Sequence, residues 1–134
     1  MRLEDDHYCF ACGTENPGGL HLVFERGGRG VRAFFTPERR HQGYKGIVHG
    51  GIISTILDEA MAHAAIKAGY LPVTAEISVR FKSALSVGQK VLAEGWIESD
   101  PAKGRRLLEA VSEMKTWPEG GLVAAARAKL MRPE

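Results

Sequence analysis

One long helical pattern stands alone among strand-like segments, and this isolation constrains the fold more than any other feature of the chain. From Gly50 to about Lys67, the residues Ile52, Ile53, Ile56, Leu57, Ala60, Met61, Ala64 and Ala65 recur at helical spacing. Small residues, Ser54 and Ala62 among them, occupy much of the remaining circumference. A helix that is apolar or small nearly all round is covered on most sides, and Gly69 is a natural stop for it. The flanking segments alternate instead. Leu20 to Glu25 and Val31 to Phe35 precede the helix, separated by a turn with Gly27, Gly28 and Gly30. Val73 to Phe81, Lys90 to Glu98, Arg105 to Met114 and Leu122 to Met131 follow it, and Val73, Ala75, Ile77, Val79 and Phe81 keep strict period two. Strands joined by such short turns pair antiparallel. The expected class is α+β: one antiparallel sheet curled around a single helix. The side of the helix left open by the sheet needs cover, which a second copy of the chain would supply.

No repeat, low-complexity tract or linker divides the 134 residues, so one domain spanning 1–134 is expected, with a loop over about 7–19. The 18 basic and 16 acidic residues leave a net charge of +2, too even for a protein that coats nucleic acid. No apolar run is long enough to cross a bilayer. The start, Met-Arg-Leu-Glu-Asp-Asp-His, carries acidic residues where a secretory signal needs an apolar core. A cytoplasmic location is the expectation.

Chemistry concentrates in His41-Gln42-Gly43-Tyr44-Lys45-Gly46-Ile47-Val48-His49-Gly50-Gly51, which runs straight into the helix. Two glycines at a helix start let a ligand approach the backbone closely. The first N–H groups of a helix lack internal partners and sit at the positive end of its dipole. Such a place suits negative charge developing on a carbonyl oxygen. Nine residues after His49 comes Asp58, in the angular sector of Ser54, Met61, Ala62 and Ala65, where a carboxylate is a candidate for burial and a displaced pKa. From the residues alone, a loop-to-helix junction with a solvated Asp58 fits as well as an active site.

Several motifs together resemble the hotdog-fold thioesterases of the phenylacetate-pathway type. They are Cys9-Phe10-Ala11-Cys12-Gly13, Asn16-Pro17-Gly18-Gly19-Leu20, His41-Gln42-Gly43-Tyr44, Gly46-Ile47-Val48-His49-Gly50-Gly51, and Asp58 at the matching distance. The resemblance spans Cys9 to Met131. It implies a six-stranded antiparallel sheet around a central helix, a homodimer or dimer of dimers, and hydrolysis of an acyl-CoA at sites shared between subunits. By position, Asp58 would be the nucleophile or the base that activates water, and the Gly50 N–H, helped by Gly51, would hold the oxyanion. His49 would orient the loop or the thioester, Thr74 would position water, and Gln42 would touch the carbonyl or the water.

Coenzyme A brings phosphates, so basic residues matter. Arg80 and Lys82 share one face of their strand, and Arg105 and Arg106 follow a turn where a guanidinium fork would suit phosphate. Relatives often carry proline after the basic residue near this strand end, whereas this chain reads Lys82-Ser83-Ala84-Leu85. Cys9 and Cys12, with His7 alongside, also suggest a metal. Two thiolates fall short of a closed zinc site's four ligands, which a symmetric partner or His7, His21 or His41 would have to complete. Hydrolysis needs no metal or other cofactor, and metal-free protein is the expectation. Rival functions are a hotdog hydratase or dehydratase and a non-catalytic acyl-CoA-binding module. The position of Asp58 inside the helix favours hydrolysis over both.

Overall fold

A computed structural model describes residues 2–99 and 106–133. The helix, α1, runs Gly50–Lys67. Around it lie β1 (Glu25–Gly27), β2 (Gly30–Phe35), β3 (Val73–Phe81), β4 (Val91–Ile97), β5 (Leu107–Thr116) and β6 (Leu122–Met131), with a short 3-10 turn at Arg39–His41. The six strands form one antiparallel sheet in the order β1-β2-β4-β5-β6-β3. This is the expected α+β arrangement.

Period-two alternation on the central strands gives the sheet its concave face. Ala93, Ala110, Met114, Ala124, Ala128 and Leu130 are buried there against Ile53, Ile56, Leu57, Ala60, Met61 and Ala64 of the helix. Full burial of side chains the size of Ile56, Leu57 or Met61 contributes about 1.5–3 kcal/mol each. The many alanines let the helix sit close. At Gly95 the approach is closest, since a Cβ there would stand 2.4 Å from the Ala60 carbonyl oxygen. Buried Ser112 on β5 donates its hydroxyl to the Leu57 carbonyl at 3.0 Å. That bond fixes the helix turn carrying the next residue, Asp58.

The expected strand from Leu20 to Glu25 is a correction. Leu20, Leu22 and Phe24 are buried as their alternation requires, but ladder pairing starts only at Glu25. The Leu20 and Leu22 N–H groups donate to the Phe10 and Ala11 carbonyls at 2.8 and 2.9 Å. Alternation reports which side is buried, and here the backbone partner is the cysteine loop rather than a strand.

Candidate active site

The glycine-rich segment folds back on itself before the helix begins. Gly43 N–H donates to the Ile47 carbonyl at 2.8 Å, and Ile47 N–H to Tyr44 at 3.0 Å. The stretch after β3 clamps it from outside, through Val48 N–H to Leu85 at 2.8 Å and Val87 N–H to Gly46 at 2.9 Å. Buried His41 supplies the inner support. Its Nδ1 accepts from Glu38 N–H at 2.9 Å, and its carbonyl accepts from His49 N–H at 2.9 Å. Burial and then Arg40 hold His41 below its ordinary pKa, against the opposite pull of Glu38, so the ring is a neutral acceptor.

His49 caps the helix in extended conformation, and its Nδ1 accepts the Gly51 N–H at 2.8 Å. Gly51 is therefore already committed. The Gly50 N–H, on the first residue of the helix, has no acceptor among the described residues. It opens onto a surface depression of about 320 Å³ lined by Val48, Gly50, Ile53, Phe81, Lys82 and Ser83, among others. Gln42 turns its side-chain oxygen to Gly46 N–H at 3.1 Å, which makes it a brace of the loop.

Two turns further along the helix, half-buried Asp58 accepts a hydrogen bond from the Thr74 hydroxyl at 2.7 Å. Burial raises the Asp58 pKa; the Thr74 bond pulls it down in part, and the neighbouring Glu59 pushes it up again. Strict alternation along β3 would have turned Thr74 to the outer face with Glu76 and Ser78. A bulge between Thr74 and Glu76 prevents this: Thr74 pairs with buried Leu130, while Glu76 pairs with Lys129. Bulges characteristically re-aim a side chain in this way.

The described basic residues fall in two separate places. Arg80 and Lys82 line an outer-face groove of about 370 Å³ with Ser78, Glu113 and Arg127, and Lys82 also borders the Gly50 depression. Arg106 stands at the opposite end of the sheet, just before Leu107, which pairs with Met131 and, through it, neighbours Val73. Arg105 falls outside the described residues.

One cluster is not visible in the sequence as a unit. The ligand atoms of Cys9, Cys12 and Glu59 lie within 4.8 Å of one another, and His63 Nε2 is 3.1 Å from Glu59 Oε1. Burial alone would raise the Glu59 pKa, but His63 and the two thiols together hold it below the usual range. Burial, then Glu59, push the Cys12 thiol far up. The available signal was the four-residue spacing of Glu59 and His63, which places both on one face of the helix.

The thioesterase superfamily matches residues 45–100. An uncharacterized protein of Schizosaccharomyces pombe is 53% identical over 42 residues, which span 31% of this chain and 24% of that relative. Escherichia coli PaaI, from the phenylacetic acid degradation operon, superposes with a TM-score of 0.75 at 19% identity, covering 84% of each chain. A hypothetical thioesterase of Streptococcus pneumoniae, solved with coenzyme A, gives 0.75 at 20% identity over 84% of this chain and 85% of that one. Mutants of that protein, one with an aspartate and one with a threonine replaced by alanine, have also been solved. Those two positions are 16 residues apart, the separation of Asp58 and Thr74 here. The fold is the hotdog fold, a six-stranded antiparallel sheet around one long helix, and the resemblance carried by the motifs is borne out. Among the described residues no helix is long and apolar enough to cross a membrane.

Proposed function

We propose that this hotdog-fold chain, matched by the thioesterase superfamily over residues 45–100, hydrolyses the thioester of an acyl-CoA in the cytoplasm, at sites assembled between two copies. The observation that carries the reading is the half-buried carboxylate of Asp58, held by Thr74, together with a Gly50 N–H that has no acceptor among the described residues. They stand eight steps apart along the helix, about 12 Å at 1.5 Å per residue. An attacking group sits ~3–3.5 Å from the carbonyl carbon, and an oxyanion donor ~2.7–3.1 Å from the oxygen. One chain therefore cannot bring both to the same thioester, whereas two copies with Asp58 of one facing Gly50 of the other can. β3 supports such an assembly. It is a nine-residue edge strand whose free side has no neighbour among the described residues, and its inward-facing Ile77 and Phe81 are exposed.

In this site Asp58 either attacks the carbonyl carbon or takes a proton from the attacking water. The carbonyl oxygen gains negative charge against the Gly50 N–H, at the positive end of the helix dipole. Collapse expels coenzyme A as the thiolate, which is then protonated. Where water attacked, its oxygen is already in the free acid; where Asp58 attacked, water hydrolyses the resulting anhydride, releasing the acid and restoring the Asp58 carboxylate. Thr74 keeps Asp58 turned toward the attack. The Nε2 of exposed His49 remains to orient the thioester, and Gln42 shapes the loop. Lys82, beside the Gly50 depression, and Arg80 would meet the phosphates of coenzyme A, with Arg106 at the opposite end of the sheet as a second candidate. The coenzyme A held by the Streptococcus pneumoniae protein supports this substrate class, as does the aspartate–threonine pair replaced there at the same separation. The test is thiol release from a panel of short, long and aromatic acyl-CoAs without added cofactor. Turnover of at least one is expected. None by folded protein would favour an acyl-CoA-binding module.

A further inference from the structure

The loop that carries the two cysteines is built into the fold. Ala11 is buried, Leu20 and Leu22 hold the loop by backbone hydrogen bonds, and Gly13 N–H closes it onto the Cys9 carbonyl at 2.8 Å. At Gly13 the turn is so tight that a Cβ would stand 2.3 Å from Cys9 N and 2.7 Å from the His7 carbonyl oxygen. The loop thus presents two sulfurs to the face of the helix that bears Glu59. Cys9 Sγ lies 3.9 Å from Glu59 Oε1, and all three ligand atoms fall within 4.8 Å. Zinc bonds of about 2.3 Å to sulfur and about 2.0–2.2 Å to oxygen put tetrahedral ligand atoms roughly 3.4–3.8 Å apart, so a shift of about 1 Å or less would close the set. His7, His21 and His41 do not complete it. His7 sits beside Asp5, His21 bonds the Asn16 carbonyl and His41 supports the helix entrance. The group gathered among the described residues is Cys9, Cys12 and Glu59.

We propose that Cys9, Cys12 and Glu59 bind a divalent cation of the zinc class, with His63 as the positioning residue that holds the Glu59 carboxylate. Two thiolates select a thiophilic metal, and the hard carboxylate beside them suits zinc better than copper(I). His63 Nε2 is shielded from solvent and stands at ion-pair distance, 3.1 Å, from Glu59 Oε1, and among the described residues it has no hydrogen-bond partner. Its ring is stacked on Phe24, centroids 4.7 Å apart, which fixes its direction. Ligating carboxylates are themselves oriented by polar outer partners, the place His63 takes beside Glu59. A water would take the fourth position. The metal would tie the N-terminal loop to the helix one residue from Asp58, and it takes no part in the hydrolysis proposed above.

The experiment reads metal uptake and needs no enzyme assay. Reduced, chelator-treated full-length protein is titrated with zinc alone against a chromophoric chelator, and separately with cobalt(II) for its absorption spectrum. One saturable equivalent per chain is expected, with thiolate-to-cobalt charge transfer and the strong visible bands of a tetrahedral site. Cys12→Ser and Glu59→Gln should each weaken zinc binding by on the order of 100-fold or more. His63→Gln should weaken it by about 10–100-fold, as supporting partners do, with the cobalt bands unmoved. No saturable zinc uptake by the reduced, folded wild-type protein would overturn the proposal, and that arm stands even if a variant fails to fold. So would uptake undiminished in Cys12→Ser and Glu59→Gln. A Cys9–Cys12 disulfide that takes up no zinc once reduced would instead assign the pair to redox chemistry.

Discussion

Gly50→Pro isolates the oxyanion donor with little other disturbance. Gly50 is the first residue of the helix, the position where proline is favoured because its missing N–H would have no intrahelical partner. His49 before it has φ −62° and ψ 133°, the extended conformation that a residue preceding proline requires. A Cβ at Gly50 would meet only the Phe81 ring, at 3.5–3.6 Å, an ordinary contact. The substitution therefore deletes one N–H and should leave folding stability unchanged or raised by about 0.4–1 kcal/mol through the unfolded chain. Removing one oxyanion donor costs about 10²–10³ in kcat, or ~2.7–4 kcal/mol at the transition state. Gly50→Ala keeps the N–H and should retain turnover within a few-fold. The assay is steady-state thiol release with the best acyl-CoA, alongside thermal melts of all three proteins. A proline variant within a few-fold of wild type would refute the oxyanion assignment. An alanine variant as impaired as the proline would shift the requirement from the N–H to open space.

Asp58→Asn should reduce kcat by at least ~100-fold, while Glu59→Gln, pointing about 100° further round the helix, should cost much less when folded. Burial, only partly offset by the Thr74 bond and reinforced by Glu59, raises the Asp58 pKa. The folded chain thus binds that proton more tightly than the unfolded one, and stability falls as pH rises through the interval above 3.8. The Asn variant should lack this loss in melts across pH, and kcat should rise with an inflection above 3.8; an inflection at or below it would contradict the burial argument. Thr74→Val removes the bond that favours the ionised form, so the inflection should move further up and neutral-pH turnover should drop. An unmoved profile would deny Thr74 its positioning role. Gly95→Ala should destabilise by about 1–3 kcal/mol in urea unfolding, because the helix must retreat from a Cβ placed 2.4 Å from the Ala60 oxygen.

Where periodicity was strong, the sequence was legible. α1, β3 and β6 run as their spacing predicts, Gly50–Lys67, Val73–Phe81 and Leu122–Met131. Leu20 to Glu25 misled because alternation encodes burial and not the identity of the backbone partner, which is the cysteine loop. The bulge on β3 was equally hidden. Val73 to Phe81 reads as unbroken alternation, yet the register shift is what turns Thr74 toward Asp58. Motif residues placed Gly50 and Asp58 on one helix, but whether Gly51 had a spare N–H depended on the His49 side chain, which takes it. No spacing in the sequence links Glu59 and His63 to the cysteines. Nothing in local spacing tells a loop near residue 10 that it will lie against residue 59; only the packed fold brings them together.

Subunit complementation tests the shared site most directly. Asp58→Asn and Gly50→Pro chains are each assayed alone, then unfolded, mixed in equal amounts and refolded together. If each site takes its carboxylate from one copy and its N–H from the other, every mixed dimer carries one site with both groups intact and one with neither. Random reassociation makes half the dimers mixed, so turnover should return to about a quarter of the wild-type value from two nearly inactive parents. Turnover no higher than the average of the two parents, with mixed dimers demonstrated by mass spectrometry, would contradict a site shared between copies.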